Sequence, residues 1–189
     1  MRHLAQAISL ILGVPWFFLI DWLLIFKTGL NQSQIQYFSF VMPILHIACP
    51  MIYMVWAIKE RIISDFDITK RRERFSIMLV MVTVWGLSTV LASLYGNATL
   101  LNLSRAITMV FLTVFVITFF WKISLHMTVN TSGAILLNTL FHGAYLPVLV
   151  VIPLIFWSRL YLKKHTPLQL LAGCGISAGV MLAALYVSY

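Results

Sequence analysis

The chain has 189 residues, of which 61% are hydrophobic and only 10% charged. Soluble domains are about a quarter charged, so the composition excludes an ordinary cytosolic domain and places the chain in lipid. Thirteen Lys and Arg against five acids give a formal net charge of +8, but the bases lie in short clusters between apolar runs, which excludes the solvated basic stripe of a nucleic-acid-binding protein.

In chain order, spans of about 20 apolar residues are expected at Leu4–Phe26, Phe38–Ile58, Ser76–Tyr95 and Leu100–Phe120. The first lacks a small-residue cleavage pattern and reads as a retained span, not a removed signal peptide. Ile123–Trp157 is too long for one span and short for two. His142-Gly143 near its middle, with Pro147 and Pro153 beyond, predicts a tight helical hairpin with short arms. Leu168–Val187 closes the chain, and its Gly175-x-x-x-Gly179 spacing is one that lets helices approach closely. Only helices or closed barrels satisfy their backbone in lipid, and barrel-type alternation is lacking here. The expected fold is therefore an all-α, polytopic helical membrane bundle of six to seven transmembrane segments, one integral membrane domain over residues 1–189. Cys49 and Cys174 lie within apolar runs and read as small hydrophobes, not as a disulfide or metal pair.

The polar residues collect in three places. Lys59–Arg74 holds six bases and four acids; Lys122, Ser124 and His126 form a second cluster; Ser158, Arg159, Lys163, Lys164, His165 and Gln169 form a third. Loops resting against headgroups would explain charge alone, but Ser and His recur beside the bases. Two crossings separate each cluster from the next, so all three emerge on one face with the N-terminus. Arg, Lys, Ser and two His at one face are what binding and cleaving a phosphate ester requires: cations for the anion, one imidazole as nucleophile, another as acid. Zinc fits less well, because no HExxH or paired Cys/His spacing occurs. No cofactor and no metal is called for. Thr166-Pro167-Leu168-Gln169 has the form of a capped helix start, with Gln169 closing a capping box. His165 then stands just before a helix N-terminus, a setting that favours phosphate, and Ser124 is expected to cap the helix entering the hairpin.

With these residues in view, the chain resembles the type 2 phosphatidic acid phosphatase (lipid phosphate phosphatase) superfamily, over roughly residues 60–189. Of the family signatures K-x6-R-P, P-S-G-H and S-R-x5-H-x3-D, the third is matched by Ser158-Arg159 and His165, with Gln169 where the family has Asp. The second survives as Ser124 and His126, without its Pro and Gly. The first keeps Arg74, followed by Phe75 in place of Pro, and Asp67 stands where Lys belongs. The resemblance implies His165 as the nucleophile that becomes phosphorylated and His126 as the acid for the leaving alcohol. It implies Arg159, Arg74 and Ser124 as phosphate ligands, with Lys122 as a replacement for the missing Lys and Arg71 and Lys70 as further candidates. Asp67 and Glu73 either steer these bases or form surface pairs, and the surface pair is the one expected. Gln169 can fix the tautomer of His165 but cannot neutralise its cation as Asp would.

Asp21 in the first span is a functional suspect by cost alone. His46, Asn130, Asn138 and His142 read as helix-to-helix hydrogen-bonding residues, and Asn97-Ala98-Thr99 as a chance match to a glycosylation acceptor. The function expected is a metal-independent lipid phosphate phosphatase, hydrolysing a phosphomonoester or diphosphate of a membrane lipid through a phosphohistidine. A non-catalytic lipid-phosphate binder or transporter is the alternative, and a structural subunit with headgroup-binding loops is a third. The partners are then the phosphorylated lipid and the bilayer, with no nucleic acid. The resemblance implies an extracytoplasmic site for many family members, but bases outnumber those on the opposite face even without the candidate ligands, so the site and the N-terminus are expected on the cytoplasmic side of a prokaryotic inner membrane.

Overall fold

The structure, a computed structural model, describes residues 1–188; the side chains of residues 14–19 and 187–188, in the expected first and last spans, lie outside the described set. All regular structure among the described residues is helical. Four continuous helices are long and apolar enough to cross a membrane: Gln32–Lys59, Arg74–Tyr95, Ala98–Phe120 and Pro167–Tyr186. Their outward faces carry Leu79, Val90, Met109, Phe119 and Leu182, all half or more exposed. So much apolar exterior is suited to lipid contact and not to water.

The expected first span is two helices, α1 (Arg2–Ile11) and α2 (Val14–Lys27), divided at Leu12-Gly13. On α1, Ala5 and Ser9 are buried while Leu4, Leu10 and Ile11 are exposed. Residues four apart share a helix face, and this face packs on α8 (Val151–Tyr161). α1 thus lies against the bundle instead of lengthening α2. α3 (Gln32–Pro43) starts at a capping box of Asn31 and Gln34, and runs through a π-helical turn, Ile44–Ala48, into α4 (Cys49–Lys59). Pro43 and Pro50 flank that turn. Each lacks an N–H and crowds the turn before it, and the widened π turn accommodates both.

α5 (Arg74–Tyr95) and α6 (Ala98–Phe120) form the most extensive pair, joined at Gly96-Asn97. The Asn97 side chain caps α6 by accepting from the Leu100 N–H at 2.9 Å and donates to the Thr28 carbonyl at 2.6 Å. α7 (Leu125–Leu140) and α8 make the expected hairpin. Its turn places His142 at φ 51° and Gly143 at φ 82°, the left-handed region where glycine is at ease and His is tolerated. α9 (Pro167–Ser188) closes the bundle against α6 and α7.

Trp85, Leu103, Ile107, Phe111, Leu136 and Met181 form the main core. In lipid such a core is held by close packing more than by exclusion from water. The closest helix approach falls at Gly173, where a Cβ would lie 2.8 Å from the Ser124 carbonyl oxygen and 3.0 Å from Met127 Cβ. The Gly175/Gly179 pair faces open space instead. Cys49 and Cys174 are free thiols, each half-buried.

The turns sort by end. Lys27 lies 5.4 Å over the Phe141 ring, and Asn97 bonds Thr28, so the α2–α3, α5–α6 and α7–α8 turns gather at one end. The α4–α5, α6–α7 and α8–α9 loops gather at the other, linked by Arg74 and Lys122. This is the shared face that counting crossings leads one to expect.

Candidate functional site

Three local devices aim the side chains at the shared end. α8 ends in a Schellman turn, with the Lys164 N–H bonded to the Arg159 carbonyl and the Lys163 N–H to that of Leu160. Lys163 takes the left-handed position at φ 53°, a place usually filled by glycine. The chain reverses there and delivers His165 to the mouth of α9. The predicted capping box is present: Gln169 N–H donates to Thr166 Oγ1 at 3.3 Å and Thr166 N–H to Gln169 Oε1 at 3.2 Å. Ser124 caps α7 as expected, accepting from the Met127 N–H at 3.4 Å.

Around an open depression of about 360 Å³ stand Lys122, Lys163, Lys164, His165 and Gln169. Arg159, 1% exposed, does not line it but joins Lys164 through Asp67. Its Nη1 donates to Ser9 Oγ and to Asp67 Oδ1, both at 2.7 Å, while its buried Nε has no partner among the described residues. Lys164 Nζ reaches the other Asp67 oxygen at 2.8 Å. Arg74, 2% exposed, ties two loops together: Nε donates to the Ile68 carbonyl at 2.9 Å and Nη1 to that of Ile123 at 2.5 Å. Lys122 Nζ donates to the Lys164 carbonyl at 3.0 Å.

His165 Nδ1 faces Gln169 Oε1 at 3.3 Å. An amide oxygen only accepts, so Nδ1 carries the proton and Nε2 keeps its lone pair. Burial, then the charges of Arg74, Arg159 and Lys122, push the His165 pKa down to about 2. It is a neutral imidazole near neutral pH. Burial and the same arginines also lower Lys122. Asp67 moves the other way: although burial opposes it, hydrogen bonds and charge from Lys164 and Arg159 hold its carboxyl down at about 2. His126, in the first turn of α7, pairs with the backbone of Ser9 and lies within electrostatic reach of Arg159, Asp67 and Arg74.

The sequence-predicted residues His165, His126, Gln169, Arg159, Arg74, Ser124 and Lys122 are thus brought to one end of the bundle. Arg71 is not brought in with them, because its guanidinium is spent on the Thr118 and Phe119 carbonyls at the end of α6. Asp67 corrects a second expectation. It is no surface pair but the carboxylate partner of a buried arginine. Glu73 does make one, with the exposed Lys70 at 2.9 Å. Two contributors were not foreseen. Lys164 belonged to a predicted cluster without a role, and Ser9 lay in a span with none; the buried Ala5/Ser9 face was the available signal. α1 is further stitched to the site by the Ser158 hydroxyl, which donates to the Ala5 carbonyl at 2.6 Å.

A second polar cluster lies within the bundle. Asp21 is 1% exposed, and its two oxygens stand 3.0 and 3.1 Å from His46 Nδ1; His46 Nε2 is 2.6 Å from Ser88 Oγ. The imidazole stacks on Trp85, centroids 3.6 Å apart. His46 therefore joins helices, as expected of it, and so does Asn130, whose Nδ2 donates to the Leu12 and His126 carbonyls, both at 2.8 Å.

No family model matches this chain, and no curated protein and no solved structure is similar to it.

Proposed function

We propose that this protein is a metal-independent lipid phosphate phosphatase acting through a phosphohistidine. The observation that carries the reading is the meeting of four cations, Arg74, Arg159, Lys122 and Lys164, with a neutral His165 beside an open depression. Cations at this density suit a phosphate dianion, and the unpartnered Nε of the buried Arg159 is a further donor for it. The same cations make the place unfavourable for a divalent metal.

In the reaction, His126 takes up a proton as the phosphate dianion offsets the arginines; His165 Nε2 attacks phosphorus while the bond from phosphorus to the lipid alkoxide breaks, and the His126 imidazolium gives that proton to the departing oxygen. Water then attacks the phosphohistidine, His126 takes its proton, and the P–N bond breaks to release inorganic phosphate and restore His165. Arg159, Arg74, Lys122 and Ser124 surround the phosphoryl oxygens. Gln169 holds the tautomer throughout. The lipid tail lies between helices, α2 and the two arms of the α7–α8 hairpin bring the four long spans to seven crossings, and the site end faces the cytoplasm of a prokaryotic inner membrane.

The test is release of phosphate from short-chain phosphatidic acid by the purified protein without added metal, with competitive inhibition by orthovanadate. Activity that EDTA removes and zinc or magnesium restores refutes the histidine nucleophile. A non-catalytic lipid-phosphate binder is the second reading, favoured by Gln169: its Oε1 is shared between His165 and the Thr166 N–H and gives the imidazolium no counter-charge. Phosphate binding without release would decide for it. For the face, a cysteine at exposed Lys163, in a background lacking Cys49 and Cys174, should be labelled by an impermeant thiol reagent only after permeabilisation.

A further inference from the structure

The α4–α5 loop puts a carboxylate where an anionic ligand would lie. Asp67 spans Arg159 and Lys164 at 2.7 and 2.8 Å, making with its two oxygens the contacts two phosphoryl oxygens would make. The backbone beneath it is pinned. Ile68 is buried with Ala57, Ile63 and Ile77, and its carbonyl accepts from Arg74. Its φ of 47° is a conformation that a β-branched residue adopts only when its surroundings impose it. The Asp67 side chain itself is about a third exposed, so the carboxylate can leave the cations by turning outward while the loop stays in place.

From this we infer that Asp67 is the resident anion of the site and the residue that selects phosphate monoesters over diesters. The inference rests on the anion-site reading given above. A membrane protein is surrounded by phospholipid headgroups that are phosphodiesters with one phosphate charge. Four bare cations at the bilayer surface would hold them and block the site. With Asp67 in place, a diester exchanges one single negative charge for another and gains nothing in charge balance. A monoester carries about −1.5 to −2 near neutral pH and brings up to one additional charge to a cluster that Asp67 leaves in cationic excess. Only the monoester is favoured to turn the carboxylate out.

The test compares ethyl phosphate with diethyl phosphate, which differ by one ionisable oxygen, as ligands that raise the unfolding temperature of the detergent-purified full chain at about pH 8, where the monoester is a dianion. In the wild type the monoester should half-saturate at a concentration at least tenfold below the diester. Asp67→Asn should bind the diester at least tenfold more tightly and lose most of the preference, whereas Asp67→Glu, which keeps the charge, should retain it. Equal potency of the two esters on the wild type overturns the inference without any variant, and so does an undiminished preference in Asp67→Asn. Selective binding without phosphate release would defeat the proposed function alone. Phosphate release with an unaltered preference in Asp67→Asn would defeat this inference alone, and no binding of either ester would defeat both.

Discussion

Two carboxylate clusters among the described residues, one fully buried at Asp21 and one part-exposed at Asp67, are built on opposite principles. In the bundle interior, Asp21, His46 and Ser88 form a closed chain in which one carboxylate meets one imidazole, and the other ring nitrogen meets one hydroxyl, under the face of Trp85. At the loop end, a single carboxylate, Asp67, meets two cations directly, with Arg74 and Lys122 beside them and an Arg159 N–H unpartnered. A closed set has nothing left to offer a ligand; an unbalanced one does. Under the proposed function, burial of a carboxylate alone would therefore not mark a site, whereas an excess of one sign would.

That contrast can be broken by mutation. The largest effect expected is from His165→Ala, which should lower turnover by at least about 10⁴-fold, the scale of losing a nucleophile or its orienting partner, with little change in unfolding temperature. Retained turnover in the purified variant would remove the loop cluster from catalysis. His46→Leu should do the reverse. It strands the Asp21 carboxylate in the bundle, at about 3–5 kcal/mol, while the protein that does fold turns over as the wild type does. Adding Asp21→Leu should restore most of the lost stability, since replacing both partners of a buried pair by apolar groups is close to neutral. Denaturation in detergent measures both, and a loss of turnover in the double variant would make the inner cluster functional.

Gly173→Ala sharpens the comparison by moving the loop cluster without touching its chemistry. The new methyl meets the Ser124 carbonyl and Met127, and the overpacking should cost about 1–3 kcal/mol. By shifting α7 against α9 it should also slow turnover about 10²-fold, as a misplacement near 1 Å does. The smallest effect is on pH dependence. Because His165 is held at about 2 against an ordinary 6.5, the unfolded chain takes up a proton that the folded one refuses. Its contribution is intact above about pH 6.5 and is lost as pH falls toward 2, by up to about 1.4 kcal/mol per pH unit. Asp67, lowered from 3.8 to about 2, adds a loss of the same sign only below its own unfolded value. Stability of His165→Gln measured between about pH 6.5 and 4.5 should show a slope smaller by about one proton; an unchanged slope would mean that His165 is free to protonate.

What the sequence made legible was local. Thr166 to Gln169 and Ser124 are capping patterns within one turn, and His142-Gly143 is a turn signal, so the boundaries that position His165 and His126 could be read directly. Counting crossings then put the three loops together. Contacts between distant segments were not legible. Ser9 reaches Arg159 across 150 positions, and nothing in the apolar pattern of residues 4–26 separates one long helix from the two helices α1 and α2, apart from Gly13. Asp67 stood in a segment with ten charged residues where a solvated pair is the ordinary outcome, and only packing of Ile63 and Ile68 turned it inward. Ser88 looked like any small helical residue until the π turn aimed His46 at it.

The stitching of α1 to α8 also sets an order of events during synthesis. The Ala5 carbonyl and the Ser9 hydroxyl receive their donors from Ser158 and Arg159, residues made 153 and 150 positions later. At about 5–20 residues per second, α1 waits roughly 8–30 s for its partners. Throughout that interval the nascent chain has neither His165 nor the arginine that Ser9 holds. The loop-end cluster therefore cannot assemble until α8 has been made, and the joining of the first helix to the eighth has to wait for all the helices between them.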